Sequence, residues 1–269
     1  MRHLTRFGFL SVCFVITACS ACACTIFVLT DKNRVLFCNN EDWKGPKTMI
    51  WFVPGAEGRF GCVYVGFDNG LGQGGMNTKG LAYDWVAGDK RTWDRKPNMK
   101  STRGISCHRM LETCATVDQA AAFYREHWEP GFNSSEIMVA DRSGASIIIG
   151  VTNGELRVDR SAACRGFGYG DGIGSLKPML AKSNVPTLTN AAAILQAAKQ
   201  GGTFATRYSN VFDLKSTGIF LYRFPEQATP IQLDLAGELK KGAHFYNIPN
   251  LREELTQRLR PLTGEMTNN

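Results

Sequence analysis

Residues 24–40 read "CTIFVLTDKNRVLFCNN", with two runs of branched and aromatic residues on either side of a turn. Isoleucine, valine, threonine and phenylalanine favour strands, whereas the triplet Asp31-Lys32-Asn33 is typical of a turn. The stretch therefore predicts a β-hairpin that begins directly after Cys24.

The residues before this hairpin have the pattern of a secretory signal. "MRHLTR" is basic, residues 7–18 form an apolar run, and "ACA" at 21–23 suits signal peptidase. Twelve residues at about 1.5 Å each are too short to cross a bilayer. The pattern predicts a signal peptide over residues 1–23, an exported (periplasmic or secreted) protein, and a mature chain that starts with Cys24.

A second processing site competes with the first. "ITAC" at 16–19 has the pattern of a bacterial lipoprotein signal, and its use would acylate Cys19. The chain would then be lipid-anchored; without that lipid we expect no stable membrane insertion. The sequence leaves both routes open.

Length indicates one large domain over residues 24–269. The formal charge of the whole chain is +7, but its basic residues are scattered, so we expect no nucleic-acid partner. His108, His127 and His244 are isolated, so the spacing of a metal site is absent, and no cofactor is expected. A homo-oligomer is compatible with the sequence.

Nine cysteines are present, and six of them follow residue 23: residues 24, 38, 62, 107, 114 and 164. Export would place these six in an oxidising compartment. If Cys24 stays free for chemistry, at most two disulfides can form.

The rest of the chain alternates strand blocks and helices. Glycine-rich residues 70–80 are predicted as a flexible turn, and "GDGIG" at 170–174 as a loop. Hairpins rather than βαβ crossovers predict an α+β fold with antiparallel sheets. The predicted strands are 48–54, 60–68, 80–86, 136–141, 146–151, 156–160, 208–214 and 218–224, and the predicted helices are 106–114, 116–128, 189–200 and 250–260.

Cys24 is the residue with the most chemical interest. As the first residue of a mature chain, it would carry an α-amino group of pKa about 7.7–8.0 that can accept its own thiol proton. A Cys–His mechanism with one of the three histidines is an alternative without a supporting local motif. A buried structural cysteine is the common alternative for any single cysteine.

Three motifs together resemble a known family. "CTIFVL", "VLFCNNEDW" and "GGMNTKGLAYD" occur in the order seen in the choloylglycine hydrolase and acid amidase group of N-terminal-nucleophile hydrolases, which includes penicillin V acylase and isopenicillin-N acyltransferase relatives. The later "TRYSNVFDLKSTGIFLYRF" is also similar to a hairpin of this group. The resemblance spans residues 24–224 and implies a four-layer αββα sandwich of antiparallel sheets.

The resemblance also implies roles for individual residues. Cys24 matches the nucleophile, Asp42 the aspartate that holds the N-terminal amine, and Asn77 the asparagine that binds the oxyanion. Asn39 stands where the family commonly has arginine, and it is carried as a substrate-binding candidate together with Arg207. The family's second asparagine and late arginine have no clear counterpart in this sequence.

The implied function is hydrolysis of the C–N bond of a linear, non-peptide amide through an acyl-thioester on Cys24. The implied partner is a small N-acyl amide substrate. Two alternatives stay open: an acyltransferase on the same fold, and a catalytically inactive exported lipoprotein or binding module.

Overall fold

The structure is a computed structural model that describes residues 24–223 and 227–259. The predicted signal peptide and Cys19 lie outside these residues. The strands are β1 (Thr25–Thr30), β2 (Val35–Asp42), β3 (Thr48–Val53), β4 (Cys62–Phe67), β5 (Gly72–Asn77), β6 (Ala82–Ala87), β7 (Ser135–Ala140), β8 (Ser146–Thr152), β9 (Glu155–Ser161), β10 (Arg165–Gly168), β11 (Thr206–Asp213), β12 (Gly218–Arg223), β13 (Gln227–Asp234) and β14 (His244–Asn247). The helices are α1 (Ser106–Thr113), α2 (Val117–Glu126), α3 (Gly170–Lys182), α4 (Leu188–Ala197), α5 (Leu235–Leu239) and α6 (Leu251–Leu259).

Two antiparallel sheets form the centre of the molecule. The six-stranded sheet, called sheet A below, has the order β10-β1-β2-β11-β12-β13. The eight-stranded sheet, called sheet B, has the order β14-β3-β4-β5-β6-β7-β8-β9. The predicted hairpin of β1 and β2 lies inside sheet A, between β10 and β11.

Three apolar layers hold the sheets and helices together. Ile26 and Phe37 of sheet A pack against Val63 and Met76 of sheet B in the inter-sheet core. Helices α1 and α2 cover the outer face of sheet B, and α3 and α4 cover the outer face of sheet A. This order of layers is the predicted αββα sandwich, so the fold prediction is confirmed.

The glycine-rich segment differs from its prediction as a turn. Residues 72–77 form β5, because its glycines allow neighbouring groups to pack directly on the backbone. A Cβ at Gly72 would lie 2.7 Å from His108 Nε2, and one at Gly75 would lie 2.6 Å from the carbonyl of Val63. Close packing therefore explains these glycines without any ligand.

The "GDGIG" segment also differs from its prediction as a loop, because it is the first part of α3. Gly172 lies where a Cβ would come within contact distance of Thr25 Oγ1, so the helix can approach β1 closely only with glycine there.

Two further observations concern membrane-spanning helices and disulfides. Within the described residues, no helix is both long enough and apolar enough to span a membrane. All six cysteines that follow residue 23 are unpaired, and all but Cys164 are buried.

Candidate active site

The register of the first hairpin decides which side chains meet Cys24. Thr25 pairs with Asn40, so the same antiparallel register places Cys24 beside Glu41. Strand side chains alternate between the two faces of a sheet. Phe37 lies in the inter-sheet core, so Asn39 and Glu41 continue that face of β2.

Cys24 and Glu41 are in direct contact in this inter-sheet space. The thiol of Cys24 donates a hydrogen bond to Glu41 Oε1 at 3.4 Å. The other carboxylate oxygen of Glu41 accepts a hydrogen bond from Asn39 Nδ2 at 3.2 Å. Cys24 is 8% exposed and Glu41 is 1% exposed, so the contact is shielded from water.

A second carboxylate reaches the same space from the opposite sheet. Asp84 of β6 is fully buried, and its Oδ1 accepts a hydrogen bond from the backbone of Trp85. Asp84 Oδ2, Asn39 Oδ1 and both polar atoms of Asn210 have no hydrogen-bond partner among the described residues. Buried polar atoms without partners are uncommon in native structures, and each needs an explanation such as a catalytic role or a bound water.

Burial and a neighbouring carboxylate raise the pKa values of both Glu41 and Asp84. Burial, and then the charge of Asp42, raise the pKa of Glu41 to about 8, although hydrogen bonds from Cys24 and Asn39 oppose this shift. Burial and the charge of Glu41 raise the pKa of Asp84 well above its ordinary value. Neither Glu41 nor Asp84 forms an ion pair with a described residue.

The thiol responds to the same surroundings. Burial raises the pKa of Cys24 well above its ordinary value, and the charges of Glu41, Asp42 and Asp84 raise it further. A hydrogen bond from the backbone of Asp42 opposes this shift. In this environment the thiol rests in its neutral form.

Asp42 follows Glu41 in β2, and its side chain points to the opposite face of the strand. It accepts hydrogen bonds from Thr206 Oγ1 at 2.5 Å and from Gln200 Nε2 at 2.6 Å. Burial raises the pKa of Asp42 to about 7, and these two hydrogen bonds oppose the shift. Its role in holding the N-terminal amine stays a prediction.

The structure does not bring Asn77 to Cys24. The Asn77 amide donates to the carbonyls of Leu111 and Cys114, both at 2.7 Å, and its oxygen accepts from the backbone N–H groups of Lys79 and Leu81. Both N–H bonds and both lone pairs are thereby used. Asn77 joins β5 to the end of α1, and this geometry does not support the predicted oxyanion role.

Arg207 is likewise engaged away from the thiol. Its guanidinium donates to the carbonyls of Trp43, Lys44 and Thr203, so it joins two loops at the end of β2. Cys24, Asn39, Glu41 and Asp84 together are called the Cys24 cluster below. Of the two substrate-binding candidates, only Asn39 lies in it.

The three histidines make their contacts elsewhere. His108 accepts a hydrogen bond from Gly72 N, and burial lowers its pKa to about 4. His127 approaches the carbonyl of Phe123, and His244 pairs with Glu238. The geometry therefore does not support a Cys–His pair at Cys24.

Among the described residues, neither a metal-ligand group nor the cavity beside α1 lies at this cluster. No group of three or more histidine, cysteine or carboxylate residues in the described part of the chain is arranged to hold a metal ion. A cavity of about 670 Å³ is lined by Arg59, Arg103, Arg109 and His108, beside α1 on the outer face of sheet B.

Glu41 and Asp84 were missed by sequence reasoning, although each carries a signal. Asn39 and Asp42 come separately from the family pattern, and strand alternation places residues three apart on opposite faces. Counting by two from Asn39 gives Glu41. Asp84 stands out as a charged residue within the otherwise apolar strand "AYDWVA".

Comparison with known proteins adds an independent observation. Residues 28–164 match the family described as acyl-coenzyme A:6-aminopenicillanic acid acyl-transferase, which is half of the chain. The chain belongs to this family. The matched segment contains Asp42 and Asn77 and begins after Cys24. No curated protein sequence is significantly similar to the chain.

Solved structures show the same architecture. Penicillin V acylase from Agrobacterium tumefaciens matches 82% of this chain and 90% of its own, with 13% identity and a TM-score of 0.62. A conjugated bile acid hydrolase variant from Clostridium perfringens matches 84% and 96%, with 14% identity and a TM-score of 0.64. An N-acylethanolamine-hydrolyzing acid amidase ortholog from Caenorhabditis elegans matches 82% and 99%, with 12% identity and a TM-score of 0.52.

These matches confirm the family resemblance and the fold of N-terminal-nucleophile hydrolases. Through the family match the chain is homologous to acyltransferases. The amide hydrolases share its fold. At such low identity the solved structures show the fold of this chain but do not identify its substrate.

Proposed function

We propose that the mature protein hydrolyses the C–N bond of linear, non-peptide amides through an acyl-thioester on Cys24. The observation that carries this proposal is a buried thiol at the start of β1, in contact with a carboxylate, in a chain of the acyltransferase family. Sulfur attack on the amide carbon would release the amine, and water would then release the acid.

The proposal includes cleavage after Ala23, because only a free N-terminus gives Cys24 an α-amino group that can transfer protons in the reaction. The signal pattern of residues 1–23 and its "ACA" site support cleavage there. Export to the periplasm or the medium follows from the same pattern and is part of the proposal.

The test compares two forms of the chain. A chain that begins at Cys24 should hydrolyse members of a panel of N-acyl amides, and iodoacetamide should label Cys24. A matched chain with an uncleavable Ser-Ala-Cys-Ala extension should fold similarly and be inactive. Equal activity of the two forms would exclude a role for the α-amino group.

Two variants test the nucleophile itself. Cys24→Ala should abolish activity, and Cys24→Ser should lower it strongly because an alcohol is far harder to deprotonate than a thiol. Unchanged hydrolysis by Cys24→Ala would end the proposal.

Acyl transfer to an amine is a second candidate function, favoured by the description of the matching family. It would use the same thioester, with an amine in place of water. Adding primary amines to the reaction and measuring the ratio of new amide to free acid separates the two activities. Mass spectrometry of the mature N-terminus separates both from a lipoprotein acylated at Cys19.

A further inference from the structure

A cavity with an excess of positive charge lies beside α1. Its volume is about 670 Å³, and it is called the arginine cavity below because Arg59, Arg103 and Arg109 line it. Glu112 is the one carboxylate residue among its lining residues, so three guanidinium groups and one carboxylate leave a formal charge of +2. Burial lowers the pKa of His108, which also lines the cavity, to about 4, so this ring is neutral at pH 7. Such a cavity favours an anionic ligand.

The three arginines are only weakly engaged by the protein. Arg59 and Arg109 approach Glu112 at 3.7 and 3.5 Å, which is longer than an ordinary hydrogen bond. Arg103 is exposed and has no hydrogen bond or ion pair with a described residue. A guanidinium group presents its donors in a planar fork that matches a carboxylate or a phosphate. These forks are therefore available to a ligand.

A second cavity adjoins the first and is mainly apolar. It has a volume of about 330 Å³ and is called the apolar cavity below; Leu71, Trp85, Ile105 and Pro130 supply its apolar surface. Leu71 and Ile105 are 37% and 36% exposed, and they belong to the five large hydrophobic side chains that are exposed in the described part of the chain. Exposed apolar side chains that gather around one cavity favour a ligand with an apolar part.

The carboxylate of the apolar cavity is already engaged within the protein. Glu129 accepts hydrogen bonds from the hydroxyl of Ser106 and from the backbone N–H of Gly131. Burial raises the pKa of Glu129, which lowers the negative charge that would repel an anion nearby. Glu129 therefore leaves the apolar character of this cavity intact.

One short segment of chain joins the two cavities. Thr102, Gly104 and Ile105 line both of them, so a ligand in one cavity reaches the other across this segment. The carbonyl of Lys100, just before the segment, accepts a hydrogen bond from the backbone N–H of Trp128 at 2.9 Å. The positively charged surface and the apolar surface are therefore neighbours at a fixed part of the fold.

The two cavities lie on the opposite face of sheet B from the Cys24 cluster. Asp84, a member of that cluster, pairs with Gly74 in the sheet. Trp85 follows Asp84 in β6, so strand alternation turns its side chain to the outer face. There its ring lies 5.5 Å from the ring of Phe132. The cavities are thus separate from the proposed catalytic centre.

We propose that the two cavities form one binding site for an amphipathic anion, which is a single apolar chain that ends in a carboxylate or a phosphate. Arg59, Arg103 and Arg109 hold the head group through charge-assisted hydrogen bonds. The apolar cavity takes the chain, because contact there removes apolar surface of both partners from water. The site does not depend on the reaction proposed for Cys24.

Isothermal titration calorimetry with dodecanoate tests this site in the chain that begins at Cys24, below the concentration at which micelles form. Dodecanoate should bind once per chain, and added salt should weaken its binding. Dodecyl maltoside has the same chain with an uncharged head, and acetate has the head without the chain. Each should bind at least about tenfold more weakly than dodecanoate. Comparison with dodecyl phosphate identifies which anionic head the site prefers.

Variants locate the binding. Arg103→Ala should weaken dodecanoate binding on the order of tenfold without changing stability, since Arg103 has no partner among the described residues. Leu71→Ser should weaken it by about the same factor through the lost apolar contact. Arg125→Ala is the matched control, because Arg125 is an exposed arginine of α2 that lines neither cavity. Arg125→Ala and Cys24→Ala should both bind dodecanoate as the parent does.

Several outcomes would overturn the proposal. Absence of binding by both anionic amphiphiles would remove the site, and equal binding of dodecyl maltoside or of acetate would show that the head or the chain is not recognised. Unchanged affinity in Arg103→Ala and Leu71→Ser would place the ligand elsewhere. Loss of binding in Cys24→Ala would place it at the Cys24 cluster. Because binding is measured directly, each result stands whether or not the protein hydrolyses an amide.

Discussion

Each face of β2 carries one asparagine and one carboxylate. The two faces provide these side chains with different hydrogen-bond partners. Towards the helices, Asn40 binds the carbonyl of Leu195 and the hydroxyl of Ser209, and Asp42 binds Gln200 and Thr206. Towards sheet B, Asn39 donates to Glu41, and Glu41 accepts a second hydrogen bond from the thiol of Cys24. Both pairs are almost completely buried.

The difference lies in how many polar atoms are left without partners. On the helix side, neutral donors surround Asp42 and hold it in place. On the sheet B side, Asn39 Oδ1 and both polar atoms of Asn210 are unpaired, and Asp84 adds a second carboxylate. An arrangement that is costly for stability and centred on a thiol is better explained by chemistry than by folding.

The largest expected effect is a loss of stability as pH rises. Burial raises the pKa values of Glu41 and Asp42 above those of an unfolded chain, to about 8 and about 7. Their contribution is therefore fully present below about pH 4 and is lost as pH rises through 7–8. In the chain that carries the Ser-Ala-Cys-Ala extension, the free energy of unfolding should fall on the order of 6 kcal/mol between pH 5 and pH 8.5.

Denaturant titrations at several pH values measure this loss. Asp84→Asn should reduce it, because one of the buried charges is gone. A chain that begins at Cys24 should also lose less, since its ammonium would offset the carboxylates. A free energy of unfolding that is flat with pH in all three forms would contradict the buried-carboxylate account.

The next effect separates the role of Asn77 from that of the Cys24 cluster. Asn77→Ala removes four hydrogen bonds and leaves the carbonyls of Leu111 and Cys114 without this partner. The free energy of unfolding should fall by about 3 kcal/mol, whereas activity per folded molecule should stay near that of the parent.

Asn69→Ala is the matched control, because Asn69 makes a single exposed hydrogen bond to the backbone of Leu71. It should change stability by less than about 1 kcal/mol. A hundredfold loss of activity in folded Asn77→Ala would instead restore the oxyanion role that the sequence predicted.

The next smaller effect is expected for Asp42→Asn, on the face of β2 that packs against the helices. The amide keeps the shape of the side chain but removes the charge that is predicted to hold the N-terminal ammonium. Activity should fall on the order of a hundredfold, equivalent to about 2.7 kcal/mol, in a protein that still folds. The exposed Asp94→Asn variant should match the parent, and full activity in Asp42→Asn would remove Asp42 from the reaction.

More of the fold than of the candidate site could be predicted from the sequence. Branched and aromatic residues on either side of a turn predicted the first hairpin, and the helix predicted over 116–128 is α2. The glycines of β5 were misinterpreted, because only the packed neighbours show why a side chain cannot fit there. Asn77 was predicted from a motif to bind the oxyanion. Its contacts with the end of α1 can be recognised only in the three-dimensional structure.

The smallest expected effect compares two asparagines on opposite faces of sheet A. Asn210 is fully buried with both polar atoms unpaired among the described residues, whereas Asn40 has partners for both. Asn210→Leu should raise the free energy of unfolding by about 1 kcal/mol, because it removes a desolvated amide without breaking a hydrogen bond.

Asn40→Leu should do the opposite, since it leaves the carbonyl of Leu195 and the hydroxyl of Ser209 without their partner. Thermal or denaturant unfolding of both variants measures the difference. If the polar atoms of the Cys24 cluster are kept for chemistry, the stabilised Asn210→Leu protein should also be the less active of the two per folded molecule. A destabilised Asn210→Leu would mean that this amide has a partner that supports the fold, and the contrast between the two faces of sheet A would then disappear.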